Sequence, residues 1–189
     1  MSTLDDSFLI QQTLSGNRNA FRFLVLRYQR PIFKYLTSFA LPQPVIEELA
    51  QDCFVRAFKS LDSYASEKGA TFSTWLFVIA KRLALNELSK ASRKYEMTTA
   101  DGALDSVHYI ERQTPETLLE SKQNQEALRE ALDQVPTQFR RALVLSQIAE
   151  HSLEEIARIE NCPIGTVKSR IHRGKEMLRA ILLKKLEAL

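Results

Sequence analysis

Basic and hydroxyl side chains follow a short turn near the end of the chain, and their spacing suits binding to DNA. Between Pro163 and Leu186 there are seven Lys or Arg residues and one acid, Glu176. Arg can bind guanine O6 and N7 with two hydrogen bonds, and Ser can reach bases or phosphates. The N-terminus of a helix also favours a phosphate. The side chains that could make these contacts lie in the first two turns of a predicted helix: Lys168, Ser169, Arg170, His172 and Arg173.

A second, shorter helix should precede this one and position it. Ser152 and Glu155 have the spacing of a capping box, which predicts a helix start. Asn161 tolerates the left-handed conformation that ends many helices, and Pro163 disfavours helix in the residue before it. Gly165 and Thr166 then complete the turn, and we expect Thr166 to cap the second helix.

The second helix has an apolar face with helical spacing, at Val167, Ile171, Gly174 and Leu178. Two interpretations are open at this point. One is an ordinary helical hairpin with a solvated basic face. The other is a helix-turn-helix, which the capped first helix, the tight turn and the polar N-terminal outer face favour.

The whole chain has the composition of a folded protein, and its charge limits where a nucleic acid could bind. Its 189 residues permit one large or two small domains, and a net charge of +3 requires any basic surface to be confined to one region. No apolar run approaches the roughly 20 residues that span a bilayer, so we expect no membrane insertion. An acidic start and two distant cysteines, Cys53 and Cys162, indicate neither an export signal nor a disulfide framework. We therefore expect a cytoplasmic protein.

No nucleotide-binding, protease or hydrolase motif occurs in the sequence. The three histidines, His108, His151 and His172, have no evident partners and do not have the spacing of a metal site. We therefore predict that the protein is not an enzyme and has no metal ion or cofactor.

The first half of the chain contains two helical patterns with informative surfaces. The helix that begins near Pro44 has a mixed polar side, formed by Glu47, Glu48, Gln51, Asp52, Arg56 and Lys59, which could be simply a solvated face. An irregular loop is predicted from Asp62 to Thr71, and a helix from Phe72 to Ser89. Aromatic residues near Lys68, Lys81 and Arg82 could pack in the core or stack on unpaired bases, and composition does not separate the two.

Residues 95–113 are predicted to be a flexible acidic linker, since helical periodicity is lost and acids predominate. No alternating β pattern occurs. We predict an all-α chain of two helical domains, at 1–94 and 114–189, whose relative placement the linker does not determine.

Three motifs in this order resemble the group IV, or extracytoplasmic-function (ECF), RNA polymerase sigma factors of the sigma-70 family. Residues 47–58 (EELAQDCFVRAF) are similar to region 2.2, residues 72–80 (FSTWLFVIA) to the promoter-melting helix, and residues 162–173 (CPIGTVKSRIHR) to region 4.2. The resemblance covers almost the whole chain. It implies a sigma-2-like domain, which binds polymerase and melts the −10 element, and a sigma-4-like domain, which reads the −35 element.

The resemblance also implies a role for individual residues. Docking on the clamp helices of the largest polymerase subunit is expected from Glu48, Gln51, Asp52, Phe54 and Arg56. Recognition and melting of the −10 element are expected from Tyr64, Lys68, Phe72, Trp75, Lys81, Arg82 and Asn86. Recognition of the −35 element is expected from Thr166, Lys168, Ser169, Arg170, His172 and Arg173.

The chain departs from the family pattern at a few of these positions. Many relatives have Asn where Arg82 stands, and Asp52 replaces a commoner Glu. His172 stands where an aromatic or small residue is frequent, and Gly174 where Ala is usual.

The partners implied are core RNA polymerase, through its clamp helices and flap, promoter DNA and an anti-sigma factor that competes with polymerase. Two other functions remain open at this level. A one-component helix-turn-helix regulator would bind an operator without polymerase, and would leave the Trp75 motif unexplained. A protein-binding scaffold would not need the basic outer face at 168–173.

Overall fold

The computed structural model describes residues 5–66, 69–98 and 119–187, and within them all regular secondary structure is helical, as predicted. None of the helices in this part of the chain is long and apolar enough to cross a membrane. The helices are α1 (Asp6–Leu14), α2 (Arg18–Thr37), α3 (Gln43–Lys59), α4 (Leu61–Ser66), α5 (Phe72–Thr98), α6 (Leu119–Gln134), α7 (Thr137–Gln147), α8 (Leu153–Glu160) and α9 (Ile164–Glu187).

In the N-terminal half, α2, α3 and α5 pack around a common core. The sequence predicts a kink or restart at Pro31, but α2 continues through it as one helix of 20 residues. A proline removes one backbone hydrogen bond and crowds the preceding turn. Ile32, Tyr35 and Leu36 are fully buried immediately after it, and this burial stabilises the C-terminal part of the helix.

The predicted boundaries around the loop at 62–71 need two corrections. Residues 61–66 form α4, because Leu61 is buried and Tyr64, three residues later, packs on the ring of Phe72. Helix α5 runs past Ser89 to residue 98, inside the predicted linker. Residues 89–98 contain no Gly or Pro and are mostly good helix formers. The rest of the predicted linker, 99–113, lies outside the described residues.

In the C-terminal half, α7 packs against α9 at a glycine. A Cβ atom added to Gly174 would lie 3.0 Å from Cγ and 3.1 Å from Cδ1 of Leu143, and Leu143 is itself buried. The glycine therefore permits the two helices to approach closely.

We expect Gly174→Val to lower the free energy of unfolding by about 1–3 kcal/mol, the usual cost of overpacking a core. Gly165→Val is the matched control, because no atom lies within 4 Å of a Cβ added to Gly165. Urea unfolding of both variants measures the difference. Equal changes in the two variants would show that the contact with Leu143 does not determine the effect.

The two halves pack against each other, which the sequence did not predict. Helix α8 lies against α5, and α7 lies against α2. Leu145, Ile156 and Ile159 join the same buried cluster as the core of the N-terminal half. Apolar contacts therefore determine the relative placement of the two halves, which the predicted linker alone would not determine.

Candidate nucleic-acid and polymerase interfaces

Helices α8 and α9 form the predicted helix-turn-helix. The capping box is confirmed: the Glu155 N–H donates to Ser152 Oγ at 3.2 Å, and the Ser152 N–H donates to Glu155 Oε2 at 2.9 Å. Asn161 ends α8 in the left-handed conformation, with φ 49° and ψ 55°. The Cys162 N–H then donates to the Ala157 carbonyl at 3.0 Å, which closes the turn.

Helix α9 begins earlier than the sequence predicted. Its first residue is Ile164, and the N–H groups of Thr166 and Val167 both donate to the Pro163 carbonyl, at 2.9 Å and 3.2 Å. Thr166 therefore lies within the first turn and does not cap the helix. The Pro163 carbonyl thus accepts the first hydrogen bonds of the helix, as the residue before a helix does.

Four of the six candidate −35 residues are exposed, and Thr166 and Arg170 are half-buried. The exposed residues share the outer side of α9, and they are Lys168, Ser169, His172 and Arg173. The Ser169 hydroxyl donates to the Thr166 carbonyl at 2.9 Å. The side chain of Arg170 is only 22% exposed, and its guanidinium lies 3.8 Å from the carboxylate of Glu160.

Aromatic rings meet at the start of α5, where the sequence predicted stacking on unpaired bases. Tyr64 lies 5.0 Å from Trp75 and 5.5 Å from Phe72, centroid to centroid. Phe72 is buried and so contributes to the core, whereas Tyr64 and Trp75 are half-buried at the surface. Burial raises the pKa of Tyr64, whose hydroxyl donates to the Ala70 carbonyl at 3.3 Å. Lys68 lies outside the described residues.

The other candidate −10 residues lie along α5. Arg82 and Asn86 are exposed, but Lys81 is largely enclosed against α8. The Lys81 ammonium donates to the Ile159 carbonyl at 3.0 Å. Burial lowers the pKa of Lys81, and the nearby Glu160 carboxylate partly opposes this effect.

Three of the candidate polymerase residues, Glu48, Asp52 and Arg56, lie on one side of α3. Glu48, Gln51 and Arg56 are exposed, while Asp52 and Phe54 are half-buried. A cavity of about 310 Å³ separates this side of α3 from α5, and its lining includes Glu48, Asp52, Arg56 and Asn86. The structure therefore brings candidate polymerase residues next to a candidate −10 residue.

Polar contacts join α8 to the start of α5 and to the residue before it, through side chains for which only local roles were predicted. The hydroxyls of Thr71 and Thr74 donate to Glu155 Oε1 at 2.8 Å and 3.0 Å. Burial raises the pKa of Glu155, but these bonds and those from Ser152 outweigh it and lower the pKa to about 2. Glu155 therefore caps α8 and joins the two halves at once.

His151 also has a partner, contrary to the sequence interpretation. Its Nε2 lies 2.9 Å from the Ser73 hydroxyl, and its ring meets the Phe77 ring edge-to-face at 4.7 Å. Burial lowers the pKa of His151, although the nearby Glu155 carboxylate partly opposes this effect. The spacing of 78 residues between His151 and Ser73 gave no local signal of this contact.

Glu160 is the functional candidate that the sequence interpretation missed. It is a buried carboxylate, and it accepts a hydrogen bond from the Tyr35 hydroxyl at 2.8 Å. Arg141, Arg170 and Lys81 lie 3.1, 3.8 and 3.9 Å from its Oε2 atom. In sequence it is simply the last residue of a short helix, where an acid is usually solvated.

Comparison with known proteins places both halves in one family. Residues 24–94 match the family model of Sigma-70 region 2, and residues 125–178 match that of Sigma-70, region 4. The chain is 30% identical over 181 residues to the ECF RNA polymerase sigma-E factor of Escherichia coli K12, covering 93% of each chain. It is 32% identical over 180 residues to the sigma-E factor of Haemophilus influenzae, covering 93% of this chain and 94% of that one.

Two solved structures have a similar fold, each at 25% sequence identity. The structure of CnrH in complex with the cytosolic domain of CnrY gives a TM-score of 0.63, covering 94% of this chain and 96% of that chain. The sigma factor RpoE in complex with the anti-sigma factor NepR, from Bartonella quintana, gives 0.67, covering 86% of this chain and 96% of that chain. The region 2 and region 4 matches, the near full-length relatives and the helix-turn-helix of α8 and α9 agree: this chain belongs to the ECF family of RNA polymerase sigma factors.

Proposed function

We propose that this chain binds core RNA polymerase and directs initiation at promoters through their −10 and −35 elements. The observation that carries the proposal is the outer side of α9. Lys168, Ser169 and Arg173 are exposed there, on a helix that Val167 and Gly174 anchor through buried contacts. A helix anchored in this way, with donors in its first turns, can enter the major groove. The protein would act in the cytoplasm as a non-catalytic polymerase subunit.

The N-terminal half would supply polymerase binding and strand opening. Glu48, Gln51 and Arg56 are accessible to the clamp helices. Tyr64 and Trp75 form a half-buried aromatic pair at the surface, and rings of this kind can stack on unpaired bases. The residue assignments come from the family resemblance, and the exposure of these side chains supports them.

An anti-sigma factor is the natural regulator in this proposal, since the similar RpoE of Bartonella quintana forms a complex with the anti-sigma factor NepR. Large apolar side chains are exposed on the N-terminal half, with Phe23 at 52%, Leu26 at 51% and Val55 at 49%. Soluble proteins rarely leave such groups unused when they cluster. We place the anti-sigma contact on residues 49–58 and on apolar grooves of the C-terminal half, in competition with polymerase.

Run-off transcription with purified core polymerase tests the function directly. We expect the chain to produce promoter-dependent transcripts, and Glu48→Ala combined with Gln51→Ala to abolish them by preventing polymerase binding. Gln11→Ala combined with Glu154→Ala is the matched control, since it removes the same two residue types at exposed positions outside α3. Operator binding without any effect on core polymerase would instead identify a one-component regulator.

A further inference from the structure

Glu160 is bound by groups from both halves of the molecule. Arg141 on α7 and Arg170 on α9 belong to its own half, while Tyr35 on α2 and Lys81 on α5 belong to the other half. Its side chain is 2% exposed. One carboxylate therefore joins four helices besides its own, in the arrangement where α8 lies against α5, which we call the closed form.

The closed form depends on the negative charge of Glu160, because this carboxylate neutralises the cations around it. The three cations around it are themselves shielded, with side chains 13% exposed at Lys81, 16% at Arg141 and 22% at Arg170. A buried charge that loses its partner is strongly unfavourable. Without Glu160 the cations would repel one another, and Lys81 could regain water only by leaving α8.

The closed form is also incompatible with simultaneous recognition of two promoter elements. Lys81 and Arg170, assigned to the −10 and −35 elements, both lie within 4.0 Å of the same carboxylate. Elements separated by roughly 20 base pairs, at about 3.4 Å each, lie ~70 Å apart along the duplex. The halves must therefore separate before both can engage DNA.

We propose that Glu160 is an intramolecular latch, which holds the free chain closed and withholds Arg170 and Lys81 from promoter DNA. The expected effect on DNA binding rests on the proposed function. The contacts that form the latch are part of the fold and do not depend on that function. Opening would break the Tyr35 and Lys81 contacts to Glu160, and would leave Arg141 and Arg170 with it in the C-terminal half. Arg170 would then become accessible beside Arg173.

Small-angle X-ray scattering of the full chain tests the latch without DNA. We expect Glu160→Gln to increase the radius of gyration with helical content unchanged by circular dichroism. Tyr35→Phe removes only the hydroxyl contact from the other half, so it should give a smaller increase and leave the C-terminal half intact. Glu154→Gln is the control, because Glu154 is exposed on the same helix and the substitution removes the same charge.

Binding of a −35 duplex by fluorescence anisotropy tests the consequence. If the open fraction rises from about a tenth to nearly all molecules, apparent affinity should increase about 10-fold in Glu160→Gln. Glu154→Gln should bind like the unaltered chain.

The outcomes separate the latch from the proposed function. Radii of gyration that match the unaltered chain in both Glu160→Gln and Tyr35→Phe would overturn the latch. If Glu160→Gln loses helical content, Tyr35→Phe decides the question alone. Expansion without tighter −35 binding would support the latch and contradict the assignment of α9 to the −35 element.

Discussion

Lys168→Ala combined with Arg173→Ala should reduce initiation from a promoter that depends on its −35 element by at least 30-fold. Both side chains are exposed on the outer side of α9. A good bidentate base contact contributes about 1–3 kcal/mol of discrimination, so the loss of two reaches about 2–6 kcal/mol. Run-off transcription from matched promoters, with and without the −35 element, measures the effect.

The control for this prediction removes the same charge further along the helix. Lys175→Ala combined with Arg179→Ala alters two exposed cations on α9, beyond the first turns that would enter the groove. This variant should lose activity modestly and equally at all promoters, through weaker phosphate attraction. Equal losses in the two double variants would show that α9 provides only nonspecific attraction.

Tyr64→Ala should impair promoter opening while leaving polymerase binding intact. Tyr64 pairs with Trp75 at 5.0 Å, and a base stacked on an aromatic ring contributes roughly 1–3 kcal/mol. The open complex should therefore form about 5- to 150-fold less well. Permanganate reactivity of thymines at the −10 element measures opening, and co-purification with core polymerase measures binding.

Two controls distinguish stacking from a general loss of structure. Tyr64→Phe keeps the ring and should open promoters almost normally. A template with a mismatched bubble at −10 needs no strand separation, so it should restore much of the activity of Tyr64→Ala. Normal permanganate reactivity in Tyr64→Ala on an intact duplex would contradict the −10 assignment.

The sequence was sufficient where structure depends on neighbours along the chain. The capping box at Ser152 and Glu155, the left-handed residue Asn161 and the face led by Val167 predicted a helix-turn-helix, and the structure confirms it. The all-α class followed in the same way from helical periodicity. These signals extend over about one or two turns, so an isolated segment displays them.

Other local predictions failed where packing or nearby backbone geometry outweighed a residue's own preference. Pro31 did not interrupt α2, because three buried residues follow it. Thr166 did not cap α9, because the chain enters the helix directly after Pro163. In each case a weak local preference was overcome by packing or by backbone geometry nearby.

Only the tertiary structure determined how the halves meet. Tyr35 and Glu160 are 125 residues apart, and His151 and Ser73 are 78 apart. An acid at a helix end, such as Glu160, or a single histidine, such as His151, can be exposed to solvent or buried in a contact. Neither residue type therefore reveals a distant partner. Packing of α8 on α5 excludes water from Glu160. A buried carboxylate is unfavourable unless it is paired, and three cations lie near this one.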